Sequence, residues 1–441
     1  MSAPNGRHEV GARRARLGVA IVAATWMMVS APALAATPPC DPDNGGLTLP
    51  AGFCAAIVAD NLGLARHIAV SPRGDLYVSI NRVRDGQPKG GVVALRDADG
   101  DGRYERQERF GDLTGTGIAL HDGFLYFASD DTVVRYRLEP GQLVPTGTPE
   151  TIVSGLTSRR QHASKTFAFD DGGTMFVNIG APSNACQADD RKPTSPGQRP
   201  CPLLEIAGGV WRFPAGKPNQ TQQDGHRYST GIRNAVAIAW NPATKGVYVV
   251  QHGRDQLDTL WPGMFTARQS ADLPAEEMFR LADGANFGYP FCYYDPFQQK
   301  KVLAPEYGGD GKIEGECATY GRPILAFPAH IGPNDLAFYG AAQFPAKYRQ
   351  GAFIAFHGSW NRGALGQEGY QVAFAPFANG QAAGGYEVFA DGFAGVEPVP
   401  QPRDAEHRPC GLAVGPDGSL FVVDSIRGRV WRISYRGTGT R

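Results

Sequence analysis

Short apolar runs recur along this chain, each bounded by turn-forming residues. Asp75-Leu-Tyr-Val-Ser, Phe124-Leu-Tyr-Phe-Ala, Thr174-Met-Phe-Val-Asn, Gly246-Val-Tyr-Val-Val, Ala352-Phe-Ile-Ala-Phe and Ser419-Leu-Phe-Val-Val share one pattern. Most follow a turn such as Ser-Pro-Arg-Gly-Asp (71–75), Asp-Asp-Gly-Gly (170–173) or Gly-Pro-Asp-Gly (415–418). Before most of these turns lies another apolar run, as in Phe167-Ala-Phe, Val236-Ala-Ile-Ala-Trp and Leu412-Ala-Val. The unit is strand, turn, strand. Tyr77, Tyr126, Phe176, Tyr248, Phe353 and Phe421 mark its six copies, spaced by 49, 50, 72, 105 and 68 residues. Spacing near 50 suits a four-stranded propeller blade, and the wider gaps read as insertions. A doubly wound α/β fold would need regular amphipathic helices between the strands, and none of adequate length is present. The pattern predicts an all-β fold, a six-bladed β-propeller with four-stranded antiparallel blades around a central channel. Asp272 to Met278 reads as the start of a short helix, Arg191 to Pro202 as a polar insertion, and Pro398 to Pro402 as an interblade loop.

Composition sharpens this picture. Gly (57) and Pro (34) make up about a fifth of the 441 residues, which is the punctuation that many short strands require. Lys and Arg (43) balance Asp and Glu (43), so the chain has no bulk charge with which to grip nucleic acid or an anionic membrane. Arg7, Arg13, Arg14 and Arg16 precede an apolar stretch from Leu17 to about Val29, followed by Ala33-Leu34-Ala35. That order predicts a secretory signal peptide over 1–35 and a single catalytic propeller domain over 36–441. The apolar stretch is shorter than the ~20 residues a membrane span needs, so no span is expected, and the location is expected to be periplasmic or secreted. Export permits disulfides. Nearest-neighbour pairing of Cys40–Cys54, Cys186–Cys201 and Cys292–Cys317 is the simplest arrangement among the fifteen that six cysteines allow, and leaves Cys410 as a buried small hydrophobe.

In a propeller, residues just before the innermost strands converge on one channel mouth. In register these are Arg66-His67, Thr116-Gly117, His162, Arg233-Asn234, Asn334 and Arg408. The ends of the second strands add Gln251-His-Gly-Arg-Asp255 and His357-Gly-Ser-Trp-Asn-Arg362. Such a funnel of Arg and His suits an anionic, polycarboxylate-like ligand, because Arg pairs with carboxylates bidentately and stays charged.

These segments carry a resemblance. Ala65-Arg-His-Ile-Ala-Val-Ser-Pro, Gln161-His-Ala-Ser-Lys-Thr-Phe-Ala-Phe, Gly231-Ile-Arg-Asn-Ala-Val, His252-Gly-Arg-Asp-Gln-Leu, Ala355-Phe-His-Gly-Ser-Trp-Asn-Arg and Arg408-Pro-Cys-Gly-Leu-Ala-Val run from the first repeat to the last. Together they resemble the glucose/sorbosone dehydrogenase family of six-bladed propellers that bind pyrroloquinoline quinone, nearest its sorbosone and pyranose dehydrogenase branch. The resemblance implies oxidation of a sugar or sugar-derived aldehyde, with electrons passed to an external acceptor, a quinone or a cytochrome. It implies His162 as general base and Arg233 as the group facing the developing negative charge. Arg66, Arg233, Asn234, His357, Trp360, Asn361, Arg362 and Arg408 are implied to surround the quinone. Calcium is implied at the backbone carbonyls of Gly253 and Arg254, with Asp255 beside them. The glucose-oxidising branch has Gly-Pro where this chain has Gly-Arg-Asp.

A second calcium candidate stands apart from the resemblance. Asp97, Asp99, Asp101, Glu105 and Glu108 fall at positions 1, 3, 5, 9 and 12 of a calcium-loop pattern with Gly102 at position 6. The run Val92-Val-Ala-Leu before it reads as a strand, so a helix–loop–helix hand is not expected. Two other classes fit the propeller itself: a calcium-dependent hydrolase of lactonase type, and a binding propeller without catalysis. The first needs acidic side chains around the channel, where this chain offers mainly Arg and His. The second predicts a broken His162 or Arg233-Asn234 constellation, and both are intact.

Overall fold

Each of the six apolar repeats forms the second strand of its own antiparallel sheet: Leu76–Arg82, Phe124–Ala128, Thr174–Ile179, Gly246–Gln251, Ala352–Phe356 and Leu420–Asp424. The computed structural model describes residues 39–82, 90–159 and 161–437, together with Met1, Gly6 and Gly11. The chain divides into two units, Met1–Leu34 and Ala35–Arg441, and the second holds every described strand. The signal peptide expected over 1–35 falls on residues almost all of which lie outside the described ones.

The fold is an all-β six-bladed β-propeller. Four blades have four strands, and the second and third each gain a short parallel fifth strand, Gln220–Thr221 and Ala285–Asn286. Phe53–Ala59 pairs antiparallel with Val430–Tyr435, so the sixth blade takes its outermost strand from the beginning of the domain. Backbone hydrogen bonds thus close the ring.

The apolar repeats are continuous rather than alternating, and packing shows why. Tyr248 and Val250 pack into one interblade layer, while Val247 and Val249 pack into the layer on the other side. Leu420 and Val422 likewise oppose Phe421 and Val423. Side chains alternate between faces with period two, and both faces of each central strand are covered by a neighbouring blade. One apolar cluster fills each of the six gaps.

The two wide repeat spacings hold insertions stapled by Cys186–Cys201 and Cys292–Cys317, and Cys40–Cys54 ties the chain start to the outermost strand of the sixth blade. Cys410 is free and buried. The helix expected to begin at Asp272 is displaced: an α-helix spans Ala267–Asp272, and Glu276–Arg280 is a strand. Pro274 explains the stop, since a residue preceding proline is pushed out of helical geometry. Among the described residues, no helix is long and apolar enough to cross a membrane.

Candidate active site

Three innermost strands break their pairing at the same place. The ladder skips Arg66 and His67 between Ala65 and Ile68, Asn334 between Pro333 and Asp335, and Cys410 between Pro409 and Gly411. An unpaired residue of this kind re-aims its side chain out of the pleat. The bulges sit where the sequence register placed polar residues, and Arg66 and Asn334 both line the cavity at the channel mouth. Its volume is about 690 Å³, and it is also lined by His162, Arg233, Gly253, Asp255, His357, Trp360 and Asn361 from the expected set.

His162 has a left-handed backbone (φ 53°), an uncommon state for a residue with a side chain. It packs closely on Gly180, where a Cβ would stand 2.7 Å from the His162 Cβ. Nδ1 hydrogen-bonds the Ala181 carbonyl. A carbonyl only accepts, so the neutral ring carries its hydrogen on Nδ1 and keeps the Nε2 lone pair available. Burial, reinforced by the Arg233 charge and only partly opposed by that carbonyl, pushes the His162 pKa down to about 3. The ring is therefore neutral at neutral pH.

Arg233 is 3% exposed and heavily bonded. Nη2 donates to Asp255 Oδ2 (2.8 Å) and Asn184 Oδ1 (3.0 Å), Nε donates to the Asn184 carbonyl (3.1 Å), and Nη1 donates to the Gly253 carbonyl (2.8 Å). Its own carbonyl accepts from Ala181 N (2.8 Å), which joins it to the His162 support. Asp255 also accepts from Arg191 Nη2 (2.9 Å) and Asn361 Nδ2 (2.6 Å). Burial alone would raise the Asp255 pKa, but Arg233, His330 and Arg191 outweigh it and hold the carboxyl well below the usual carboxylate range.

Arg66 differs. Its Nε is buried and has no partner, and no side chain or carbonyl among the described residues accepts from its guanidinium. A buried unsatisfied donor is costly, so this group is built for an anion brought from outside.

Other expected residues stand outside the lining. Asn234 lies behind the cavity, its Oδ1 accepting from Asn178 Nδ2 (3.3 Å). Arg408 spends Nε and Nη2 on the carbonyls of His357, Gly358 and Ser359 and so braces that turn. The Arg254 side chain turns away to Glu306 (2.5 Å), leaving only its backbone to serve a cation. Arg362 is directed elsewhere, bonding the Ala271 carbonyl (2.7 Å) and Glu368 (2.8 Å). In the separate acidic loop, ligand oxygens of Asp97, Asp99, Asp101 and Glu105 lie within 4.8 Å of one another. Glu108 is not among them: it sits in the strand Arg106–Phe110 and pairs with Arg106 (2.6 Å). The loop gives way to strand after Glu105, so the twelfth position cannot fold back.

Sequence reasoning placed His252 at the mouth without a specific role and did not place Arg191, Glu276 or His330, and all four line the cavity. Arg191 belongs to the insertion closed by Cys186–Cys201. His252 donates through Nε2 to the Pro333 carbonyl (2.8 Å), and burial lowers its pKa to about 4. Glu276 is 2% exposed; Gly253 N donates to its Oε2 (2.6 Å) and Gly332 N to its Oε1 (3.2 Å). Burial raises its pKa to about 8 against those two hydrogen bonds. The readable signal was two adjacent glutamates in an otherwise apolar run, one facing the channel and the other, Glu277, paired with buried Lys301 (2.9 Å).

Comparison with known proteins places this geometry. The TrAA12-like family model matches residues 47–436. The chain is similar to the pyrroloquinoline quinone-dependent sugar dehydrogenase of Hypocrea jecorina (strain QM6a), 22% identical over 72% of this chain and 73% of that protein. It is similar to the pyrroloquinoline quinone-dependent pyranose dehydrogenase of Coprinopsis cinerea, 24% identical over 87% of this chain; it spans only 54% of that protein's length. The fold is shared with the calcium structure of the Trichoderma reesei carbohydrate-active enzyme of family AA12, with a TM-score of 0.71, 19% identity, and coverage of 88% of this chain and 97% of that one. A six-bladed ring with this channel mouth, matched across nearly its whole length, belongs to the TrAA12-like family.

Proposed function

We propose that this protein is an exported, pyrroloquinoline quinone-dependent dehydrogenase that oxidises a sugar or sugar-derived aldehyde and passes electrons to an external acceptor. The observation that carries the reading is one cavity holding both a histidine with a free Nε2 and a half-buried arginine whose buried Nε has no partner. When bound, the quinone would supply a two-electron hydride acceptor and calcium a Lewis acid. Arg66 would hold an acidic group of the cofactor. The Gly253 and Arg254 carbonyls, with Asp255 close by, would face the cation. His162 Nε2 takes the proton from the substrate hydroxyl as its carbon is oxidised, and Nδ1 keeps the ring fixed through Ala181. Arg233, locked by five side-chain hydrogen bonds, places a fixed positive charge that need not reorganise as negative charge develops. Trp360, 59% exposed, offers an apolar face at the mouth for a sugar ring. The acidic loop of Asp97, Asp99, Asp101 and Glu105 would hold a second, structural calcium.

A calcium-dependent hydrolase would need several free carboxylates around the channel. Asp255 is consumed by two arginines, which leaves Glu276 alone and favours the dehydrogenase. The test is reconstitution of the mature chain with calcium and the quinone, followed by dye reduction with a panel of aldoses, pyranoses and sorbosone. His162→Ala is expected to abolish turnover while quinone binding, read by absorbance, persists. No dye reduction by the wild type across the panel, or full turnover by His162→Ala, overturns the reading.

A further inference from the structure

Asp255 and Glu276 are the two carboxylates lining the cavity, and their surroundings differ. Both Asp255 oxygens are spent, on Arg233 and Arg191 at one and Asn361 at the other. Glu276 is the more buried, yet no Lys, Arg or His nitrogen among the described residues lies within the 4.0 Å of an ion pair. Its only hydrogen-bond donors are the backbone N–H groups of Gly253 and Gly332. Each takes one lone pair of one oxygen, and a carboxylate has about four such sites. Two remain unfilled. A buried carboxyl without a countercharge is expensive to ionise, and proteins resolve this by keeping its proton or by bringing in a cation from the chain or from outside. Among the described residues, none places a cation within ion-pair distance of Glu276. The donor from Gly253 also fixes Glu276 against the loop whose carbonyls point to a cation under the proposed function.

We infer that Glu276 is the side-chain carboxylate that provides the countercharge for the channel cation and sets its affinity, while Asp255 serves to orient Arg233. The inference rests on the proposed calcium site but assigns it a residue outside the Gly253–Asp255 loop. Hard divalent cations take carboxylate and carbonyl oxygens together, and their affinity follows the count of charged ligands.

The experiment is calcium titration of the quinone-free mature protein by calorimetry, with a parallel melting curve at each calcium concentration. An Asp97→Asn, Asp99→Asn background silences the loop site so that one remaining site is read. In that background Glu276→Gln is expected to weaken calcium binding at least tenfold and to abolish most of the calcium-induced rise in Tm. Its calcium-free Tm should equal or exceed that of the parent, because a buried uncompensated carboxyl has been removed. If Glu276 only held the two backbone N–H groups, the calcium-free Tm would fall and the calcium response would persist, which overturns the inference. Glu276→Asp separates charge from reach: it should retain binding better than Gln. Calcium binding unchanged by Glu276→Gln refutes the role of Glu276 and leaves the proposed site standing. Absence of calcium binding from the parent, with and without quinone, overturns both.

Discussion

Asp255→Asn probes the strut of the site. The wild-type carboxylate takes Arg233 and Arg191 on one oxygen while its side chain is 10% exposed. The amide keeps the shape and removes the charge, so two guanidinium groups lose their shared counterion in a desolvated place. Removing one partner of a buried pair costs about 3–5 kcal/mol. Unfolding entropy near 2.1 cal/mol/K per residue gives about 0.8 kcal/mol/K for a domain of about 400 residues, so the Tm is expected to fall about 4–6 °C. Scanning calorimetry of the quinone-free protein reads this directly. Arg191→Gln added to Asp255→Asn removes one of the stranded charges, so the double variant should melt higher than the sum of the single losses requires. A Tm shift below about 1 °C for Asp255→Asn, or strict additivity of the pair, would show that Asp255 is not the counterion of both arginines.

Two further outcomes follow from the same geometry. Gly180→Ala would put a Cβ 2.6 Å from Asn234 Oδ1 and 2.7 Å from the His162 Cβ, so His162 must move; turnover of the reconstituted enzyme is expected to fall about 100-fold, while the quinone absorbance on binding stays intact. Acid should destabilise the fold early: His162 is lowered to about 3 and His357 well below its ordinary 6.5, so below about pH 6.5 the unfolded chain binds protons that the native rings refuse. The stability carried by the neutral rings is complete above that pH and is lost as pH falls, by up to about 1.4 kcal/mol per unit for each ring. Urea midpoints between pH 7 and 4.5 check this, and His357→Asn should flatten the slope.

The architecture was legible because a blade is a local object. Its second strand is buried on both faces, so six continuous apolar runs such as Gly246-Val-Tyr-Val-Val stand out, and all six proved to be second strands. Arg66, His162, Arg233 and Asn334 were legible as cavity residues for a related reason, since each lies just before an inner strand or at a bulge in it. What failed lies in the insertions. Arg362 was implied to lie beside the quinone, but its side chain meets Glu368 from a following turn; Arg254 was implied only through its backbone carbonyl, and its side chain meets Glu306 from far along the chain. Arg191 was hidden because its approach depends on how a disulfide-closed loop folds back over the mouth. Glu108 was misplaced because a linear ligand spacing assumes a helix after the loop, whereas a strand extends away from it.

Net charge of zero says little about a channel where every charge has a fixed partner or pointedly lacks one. Counting arginines at the mouth would give Arg233, Arg191, Arg408 and Arg66 equal weight, but their bonding separates them. Arg233 and Arg191 share Asp255, and Arg408 is spent on backbone carbonyls. These are structural cations whose field is fixed and whose hydrogen bonds leave little for a ligand. Arg66 alone among them keeps its hydrogen-bonding capacity unused, with its Nε buried. Among the bases, His162 keeps the Nε2 lone pair because Nδ1 donates to Ala181, whereas His252, His330 and His357 each tie Nε2 to Pro333, Ser270 or Ser425. Among carboxylates the same sorting selects Glu276 over Asp255. Arg66, His162 and Glu276 each retain unspent capacity, and all three line one cavity. Burying such groups unsatisfied is a cost that the six apolar interblade layers must offset, and under the proposed function the cost would be recovered when a ligand with an acidic group, a cation and an ionisable hydroxyl occupies the mouth together.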